Sequence, residues 1–374
     1  MRIGDLPTPA AVVDLARLTA NTSGMRERAA RLGVRLRPHV KTHKCVEIAR
    51  LQHGGRIGPI TVSTLAEARA FASEGFADVT YAVPLAPERI VEVARLVRAG
   101  VQLGVLVDHP DAVAAIESVA SVERLRLGVW VKVDSGYHRS GVDPEGSSGL
   151  EMAARIAASA HLDLAGVLTH AGHAYHCVGR EEVAVVARQE RDVITVFADR
   201  LRAAGIVVPE VSLGSTPTAC AVDDLVGVTE MRPGNYAFYD AFQVAIGSCR
   251  LADCALSVVA TVIGCFPDAG RLVVDAGALA LSKDPGATHL DPGCGFGRVC
   301  ELDGRGLDGL RVASLSQEHG VVMATPAARS ARFPIGTKLR IVPNHSCLSA
   351  ACFDRYRVAD GDRVVAEWWP ARGW

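Results

Sequence analysis

The chain has 374 residues, a formal net charge of −1 and 49% hydrophobic residues, so it is long enough for two domains with sizeable cores. The near-zero charge argues against a nucleic-acid-binding or basic membrane-surface protein, and no apolar stretch reaches the length of a bilayer span. The ten cysteines form no CxxC pair, which is typical of reduced thiols in a cytoplasmic protein.

From residue 14 to residue 240 the chain alternates between strand patterns and helix patterns. Runs rich in apolar and β-branched residues predict strands at 34–40, 57–63, 78–84, 101–108, 125–134, 163–170, 209–215 and 227–233. Amphipathic segments such as 65–75, 88–100 and 180–205 predict helices between them, and many end in glycine, a common helix stop. Strands that are apolar on both faces and alternate with helices predict a parallel sheet, and eight such strands close a barrel.

The pattern therefore predicts a (β/α)8 TIM-like barrel over residues 11–246. A doubly wound open sheet is the alternative, which the lack of a GxGxxG motif after the first strand weakens. After residue 247, segments bounded by glycine, proline and aspartate predict a second, mostly antiparallel β domain over 247–374, joined by the extended residues 1–10. Its predicted strand segments include 254–266, 271–281, 338–347, 354–358 and 363–369.

Two turn-like segments follow the last two predicted barrel strands, GSTPT at 214–218 and PGN at 233–235. Barrel enzymes often bind phosphate with the loops after these strands. Hydroxyl groups and backbone N–H groups at such turns are neutral donors that suit a phosphate. The alternative is that both segments are ordinary turns, since glycine, proline, serine and asparagine are common in turns.

Lys41 lies in the segment RPHVKTHK (37–44), at the carboxyl end of the first predicted strand. A lysine at the mouth of a barrel that also binds phosphate could form a Schiff base with pyridoxal phosphate. Flanking cationic groups and partial desolvation would lower the lysine pKa and keep the amine nucleophilic. Tyr175 is a candidate for a wall of the cofactor ring. The alternative for Lys41 is a surface lysine or one that pairs with the phosphate.

A second constellation is the segment PNHSCLSAACFD (343–354) in the predicted β domain. His345 and Cys347 are two residues apart, so on a strand both side chains would point to one face. Imidazole and thiolate ligands suit zinc, and two protein ligands would leave positions for water or substrate. The alternative is a core histidine beside a buried cysteine.

These segments resemble the fold-type III pyridoxal phosphate enzymes, which have an alanine racemase-like N-terminal barrel and a C-terminal β domain. Within them the chain is similar to the D-serine dehydratase and D-threonine aldolase family, above all to bacterial D-threo-3-hydroxyaspartate dehydratases and eukaryotic-type D-serine dehydratases. The matching segments run nearly end to end and are LPTPAAVVD, RLRPHVKTHK, TVSTLAEA, HRSGV, LTHAGHAY, GSTPT, RPGNYAFYD, QEHG, PNHSC and RGW.

The resemblance implies roles for individual residues. Lys41 matches the Schiff-base lysine of the family, and Tyr175 matches a tyrosine that lines the cofactor. His345 and Cys347 match the metal ligands of the dehydratases, whereas the aldolases usually carry aspartate at the position of Cys347. The residues that match phosphate contacts are Ser215, Thr216, Gly234 and Asn235.

The resemblance further implies a homodimeric lyase that uses pyridoxal phosphate and a divalent metal, with zinc favoured. Its expected reaction is dehydration of a D-β-hydroxy amino acid, such as D-serine or D-threo-3-hydroxyaspartate, to a 2-oxo acid and ammonia. Arg139 and His173 are the candidates for contacts with the distal group of the substrate. The alternatives are retro-aldol cleavage to glycine and an aldehyde, a non-catalytic pyridoxal phosphate-binding homeostasis protein, and an alanine racemase.

Overall fold

The computed structural model describes residues 1–326, 328 and 330–374, and of residue 331 only the backbone. The chain divides into two compact units. One comprises residues 1–24 and 235–370 and is named the sheet unit; the other comprises residues 25–234 and 371–374 and is named the barrel unit. The domain boundary expected between residues 246 and 247 stays a prediction.

The regular elements of the described residues are as follows. The strands are β1 (Ala10–Asp14), β2 (Arg35–Leu36), β3 (Ile60–Val62), β4 (Asp78–Pro84), β5 (Gln102–Val107), β6 (Leu127–Lys132), β7 (Leu162–Leu168), β8 (Glu210–Leu213), β9 (Glu230–Met231), β10 (Leu256–Phe266), β11 (Arg271–Val274), β12 (Gly297–Cys300), β13 (Gly306–Leu315), β14 (Gly320–Ala324), β15 (Lys338–Pro343), β16 (Tyr356–Asp360) and β17 (Arg363–Trp368). The helices are α1 (Leu15–Arg31), α2 (Val46–Gln52), α3 (Leu65–Ser73), α4 (Ile90–Arg98), α5 (Pro110–Val122), α6 (Ser148–Ala158), α7 (Gly179–Ala203), α8 (Thr216–Ala221), α9 (Ala241–Ala245), α10 (Ala278–Leu281) and α11 (Ser346–Ala351). None of these helices has the length and apolar character that crossing a membrane requires.

The barrel unit is built on eight parallel strands in the order β2-β9-β8-β7-β6-β5-β4-β3. His39, which follows β2, forms a parallel bridge with Thr61 of β3, so the two ends of this sheet meet. The backbone N–H of Thr61 donates to the carbonyl of Pro38 at 2.9 Å. Each strand overlaps the range predicted for it, and the predicted TIM-like barrel is confirmed.

Burial on both faces explains why these strands are continuous apolar runs rather than alternating ones. On β6, Val129 and Val131 share one face and are fully buried, while Trp130 on the opposite face is 3% exposed. Trp130 packs with Leu106 and Leu168 of the neighbouring strands. A Cβ at Gly104 would lie 2.5 Å from the indole Nε1 of Trp130, so the indole requires glycine at that position of β5.

A cavity of about 450 Å³ lies near the amino ends of the barrel strands, and its lining includes Asp78 and Glu210, the first residues of β4 and β8. The charged groups at this end are paired with one another. Arg37 lies 2.6 Å from Asp78 and 2.8 Å from Glu230. Arg35 lies 2.5 Å from Glu210. Because these ions satisfy each other, we assign this end of the barrel to stability rather than to chemistry.

The sheet unit contains nine strands in the order β11-β14-β13-β12-β15-β10-β1-β16-β17. β1 pairs antiparallel with β10 and parallel with β16, so the extended N-terminal segment joins this sheet. The other pairings are antiparallel, and the predicted mostly antiparallel β domain is confirmed. Its core includes Val258, Val262 and Ile341, all fully buried.

Parts of the predicted β domain differ from the sequence-based expectation. β11 ends at Val274, and the later part of segment 271–281 forms the helix α10. β15 ends at Pro343, which has no N–H to extend the ladder, and α11 follows with His345 as its N-cap. The expectation that His345 and Cys347 lie on a strand was therefore wrong. Strands β12, β13 and β14 were not predicted from the sequence.

The contact between Gly104 and Trp130 makes a testable prediction about stability. Gly104→Ala must displace the indole, so we expect the free energy of unfolding to fall by about 1–3 kcal/mol. Gly24→Ala is the matched control, because Gly24 is exposed in α1 and its Cβ would meet nothing within 4 Å. That control should gain about 0.5–1 kcal/mol, since alanine favours helix more than glycine. Urea unfolding measures both changes, and equal effects would contradict the close packing.

Candidate active site

Lys41 lies in the short 3-10 helix Val40–Thr42, in the loop that follows β2, and its side chain is exposed. His39 caps this turn, since its Nδ1 accepts the backbone N–H of Lys41 at 3.4 Å. Lys44, with a left-handed φ of 51°, lies 3.0 Å from the buried carboxylate of Glu67. The loop that presents Lys41 is thus held on both sides by side-chain contacts.

His43, the second histidine of the segment, has a structural role. It is fully buried. Its Nδ1 accepts the backbone N–H of Cys45 at 3.0 Å, and its Nε2 lies 3.2 Å from Oε1 of Gln52. Burial lowers the pKa of His43 to about 4, so the ring is neutral at pH 7. Both histidines beside Lys41 therefore shape its loop.

Positive charge gathers around Lys41 at the carboxyl ends of the strands. Burial, followed by the charge of Lys41, lowers the pKa of His39 and of His170 well below the usual value. The charge of Arg232 acts in the same direction on both rings. The two imidazoles are therefore neutral at pH 7. Cationic groups among neutral rings and hydroxyls suit an anionic cofactor.

Two buried cations at this end were not singled out from the sequence. Arg232 follows β9. Its Nε donates to Oγ of Ser212 at 2.7 Å, and its Nη2 donates to the carbonyl oxygen of Thr169. Lys132 ends β6 and donates to Ser140. Burial and then nearby cations lower the pKa of Lys132 to about 8. The signal that could have found both is a charged residue directly at the end of an apolar strand.

The residues predicted to bind phosphate in the barrel unit lie in the turns after β8 and β9. Ser215 is the N-cap of α8 and accepts the backbone N–H of Thr218 at 3.3 Å. Thr216 begins that helix and is 1% exposed. A Cβ at Gly234 would lie 2.7 Å from the carbonyl oxygen of His39, so the turn after β9 approaches the Lys41 loop as closely as glycine permits. Their phosphate contacts stay predictions.

The remaining predicted residues of the barrel unit follow strands β6 and β7. Tyr175 is half-buried in the 3-10 helix Gly172–His176. Arg139 is exposed, and its charge contributes to the lowered pKa of His170. Burial lowers the pKa of His173. The roles of Arg139 and His173 as substrate contacts and of Tyr175 as a cofactor wall stay predictions.

In the sheet unit, the side chains of His345 and Cys347 are hydrogen-bonded to each other. Oδ2 of Asp284 lies 2.9 Å from Nδ1 of His345, which leaves Nε2 as the nitrogen available to Cys347 and to a metal. Burial opposes protonation of His345, but Cys347 and Asp284 outweigh it and raise the pKa. Among the described residues no three His, Cys, Asp or Glu side chains group as a metal site, so a metal on this pair would keep open positions.

A second layer of polar residues supports this pair. Asn344 donates its side-chain amide to the carbonyls of Asp284 at 3.0 Å and Gly295 at 2.7 Å. Asn235, predicted to contact phosphate, directs its side-chain amide to Asp240 at 2.6 Å within the same unit. Asp284 was not predicted from the sequence, since 61 positions separate it from His345 and no local pattern links them.

Comparisons with known proteins cover the whole chain. Residues 13–241 match the family model described as "Alanine racemase, N-terminal domain", and residues 255–359 match the one described as "Putative serine dehydratase domain". D-threo-3-hydroxyaspartate dehydratase of Delftia sp. (strain HT23) is 42% identical over 99% of this chain and 98% of that protein. D-serine dehydratase of Dictyostelium discoideum is 34% identical over 100% and 98%. D-threonine aldolase of Arthrobacter sp. is 31% identical over 90% and 85%.

Solved structures agree with these matches. D-threo-3-hydroxyaspartate dehydratase from Delftia sp. HT23 has a TM-score of 0.94 at 40% identity, with 100% of both chains covered. A cysteine-to-alanine variant of D-threo-3-hydroxyaspartate dehydratase, described in its metal-free form, has a TM-score of 0.95 at 40% identity, again over 100% of both chains. The architecture of this chain is therefore also that of enzymes that dehydrate a D-hydroxy amino acid.

The neutral state of buried His43 makes stability depend on pH. His43 becomes protonated below pH 6.5 in the unfolded chain but only near pH 4 in the folded chain. The free energy of unfolding therefore falls as the pH drops through this window. Between pH 7 and pH 5 the loss attributable to His43 should be about 2 kcal/mol. His43→Gln should remove that part of the loss in urea unfolding, with His109→Gln at an exposed histidine as the control. Equal pH dependence in wild type and His43→Gln would contradict the assignment.

Proposed function

Because this chain belongs to the family of D-threo-3-hydroxyaspartate and D-serine dehydratases, we propose that it converts a D-β-hydroxy amino acid to a 2-oxo acid and ammonia. The observation that carries the proposal is the hydrogen-bonded pair of His345 and Cys347, an imidazole and a thiol supported by a carboxylate. Dehydration removes water across Cα–Cβ, and hydrolysis of the dehydrated product consumes one water and releases ammonia.

Pyridoxal phosphate, on which this family depends, fits the barrel unit. Lys41 would hold it through Nζ, and the turns at Ser215, Thr216 and Gly234 would hold its phosphate. When bound, the cofactor supplies an electron sink for negative charge at Cα. The amine of Lys41 is the base that takes the Cα proton.

A divalent metal fits the pair of His345 and Cys347, and imidazole with thiolate favours zinc. When bound there, the metal supplies a Lewis acid for the β-hydroxyl of the substrate, which otherwise leaves poorly. Asp284 holds the His345 ring by its Nδ1, and this contact keeps the ligand nitrogen oriented. The substrate's side chain beyond Cβ decides between D-serine and D-threo-3-hydroxyaspartate, and Arg139 and His173 are the proposed contacts.

The retro-aldol reaction is the alternative on the same scaffold. Two observations favour dehydration. The aldolase relative is 31% identical, against 42% for the hydroxyaspartate dehydratase. Cys347 also stands where the aldolases of the resemblance usually carry aspartate. A non-catalytic cofactor-binding protein or a racemase would leave the His345–Cys347 pair without a use. The homodimer expected from the resemblance and the cytoplasmic location expected from the cysteines remain part of the proposal.

The first test is product analysis with purified protein, pyridoxal phosphate and zinc. D-serine, D-threonine and D-threo-3-hydroxyaspartate are supplied separately, and ammonia, 2-oxo acid and glycine are quantified. We expect ammonia and 2-oxo acid in equal amounts, and loss of both after exhaustive chelation while the cofactor stays bound, because the metal assists the leaving hydroxyl. Glycine with an aldehyde would establish the aldolase instead. Turnover that survives chelation would exclude the metal role.

The second test concerns Lys41. Lys41→Ala should lose the visible absorbance of covalently held cofactor and the turnover, because Nζ of Lys41 is the amine proposed to hold the cofactor. Lys44→Ala is the matched control from the same loop, since the Lys44 side chain instead pairs with Glu67. This control should retain the covalent cofactor after gel filtration. An unchanged spectrum in Lys41→Ala would overturn the assignment.

A further inference from the structure

Asp240 is a carboxylate 1% exposed beside the candidate metal pair in the sheet unit. Its Oδ2 accepts the backbone N–H of Ser346 at 3.0 Å and the hydroxyl of Ser346 at 3.2 Å. Its Oδ1 accepts the backbone N–H of Gln243 at 2.9 Å, as the N-cap of α9. Because Ser346 stands between His345 and Cys347, Asp240 holds the turn on which both candidate ligands are placed.

The same carboxylate sets the direction of the Asn235 side chain. Nδ2 of Asn235 lies 2.6 Å from Oδ2 of Asp240 and 3.0 Å from Oγ of Ser346. An amide oxygen so close to a carboxylate would be repelled, so the nitrogen faces Asp240. This nitrogen also lies 3.8 Å from Sγ of Cys347, so Asn235 connects Asp240 to the sulfur of the candidate ligand.

We propose that Asp240 is the positioning residue of the metal-binding pair, acting through Ser346 and Asn235 to aim the Cys347 sulfur at the ion that His345 also binds. The inference rests on the proposed function only in requiring a divalent metal on that pair. Asp240 is not itself a ligand here, because Ser346, Asn235 and Gln243 already donate to its two oxygens. Outer-shell partners of this kind are worth a large factor in metal affinity.

The test measures zinc affinity rather than turnover. The cofactor-loaded enzyme is stripped of metal and titrated with zinc against a chromophoric chelator. Asp240→Asn keeps the size of the side chain but turns an NH2 group toward at least one donor, so the zinc dissociation constant should rise about 10–100-fold. Asp253→Asn is the control from the same unit, since the Asp253 carboxylate accepts the backbone N–H and the guanidinium of Arg250 rather than groups beside the candidate ligands. It should stay within about twofold of wild type.

A purely structural role for Asp240 gives a different result. The thermal midpoint of the metal-free Asp240→Asn protein would then fall while zinc affinity stayed unchanged, and that outcome overturns the proposal. Asn235→Ala should also weaken zinc binding, and the double variant should lose little more than the larger single effect, because both act through one path. If the effects of the two substitutions on the zinc dissociation constant multiplied instead, the shared path would be wrong.

Two further outcomes are informative. If Asp240→Asn does not fold, Ser346→Ala carries the test. It removes the hydroxyl that donates to Asp240 and accepts from Asn235 but keeps the backbone N–H donor, and about a 3–10-fold weaker affinity is expected. Unchanged affinity in that variant overturns the positioning role. Zinc that binds wild type, His345→Ala and Cys347→Ala equally well would overturn the proposed metal site itself, and is thus distinguishable from failure of Asp240 alone.

Discussion

Buried charge must be compensated, and the arrangement of the barrel unit follows from that constraint. An ion taken out of water costs several kcal/mol unless partners offset it. At the amino ends of the strands, the charge of Arg37 is compensated by its ion pairs with Asp78 and Glu230. Around Lys41 the compensation is different. Burial and nearby cations lower the pKa of His39 and of His170, so both rings are neutral. The charged groups at the amino ends are therefore paired with one another, whereas Lys41 lies among neutral imidazoles.

The sheet unit meets the same constraint with hydrogen bonds from distant segments. His345 is held by Asp284, and Cys347 is approached by the amide of Asn235. Each support comes from its own stretch of chain, so separate segments hold the two proposed ligands. Sites whose supporting groups are locked in this way hold reactive geometry better than sites on mobile loops.

Local patterns predicted most of the fold, and distant contacts account for what they missed. Runs rich in apolar and β-branched residues predicted all eight barrel strands, because a strand buried on both faces has no polar alternation to obscure it. Lys41 and His345 were found because each stands in a short motif. Asp284 and Asp240 were not, since 61 and 106 positions separate them from the residues they support. The strand through His345 was wrong because Pro343 ends the ladder, which periodicity alone does not reveal.

The position of β1 between β10 and β16 has a consequence for the order of assembly. During translation β1 is synthesised before both of its partner strands, because β10 and β16 are encoded after the barrel strands. At a translation rate of about 5–20 residues per second, the strand waits on the order of tens of seconds with an unpaired edge. The barrel strands can pair with one another during this time. The intermediate exposed to aggregation is therefore a nascent chain in which the barrel strands are paired and β1 is not. We expect chaperones to bind the unpaired edge of β1 during synthesis.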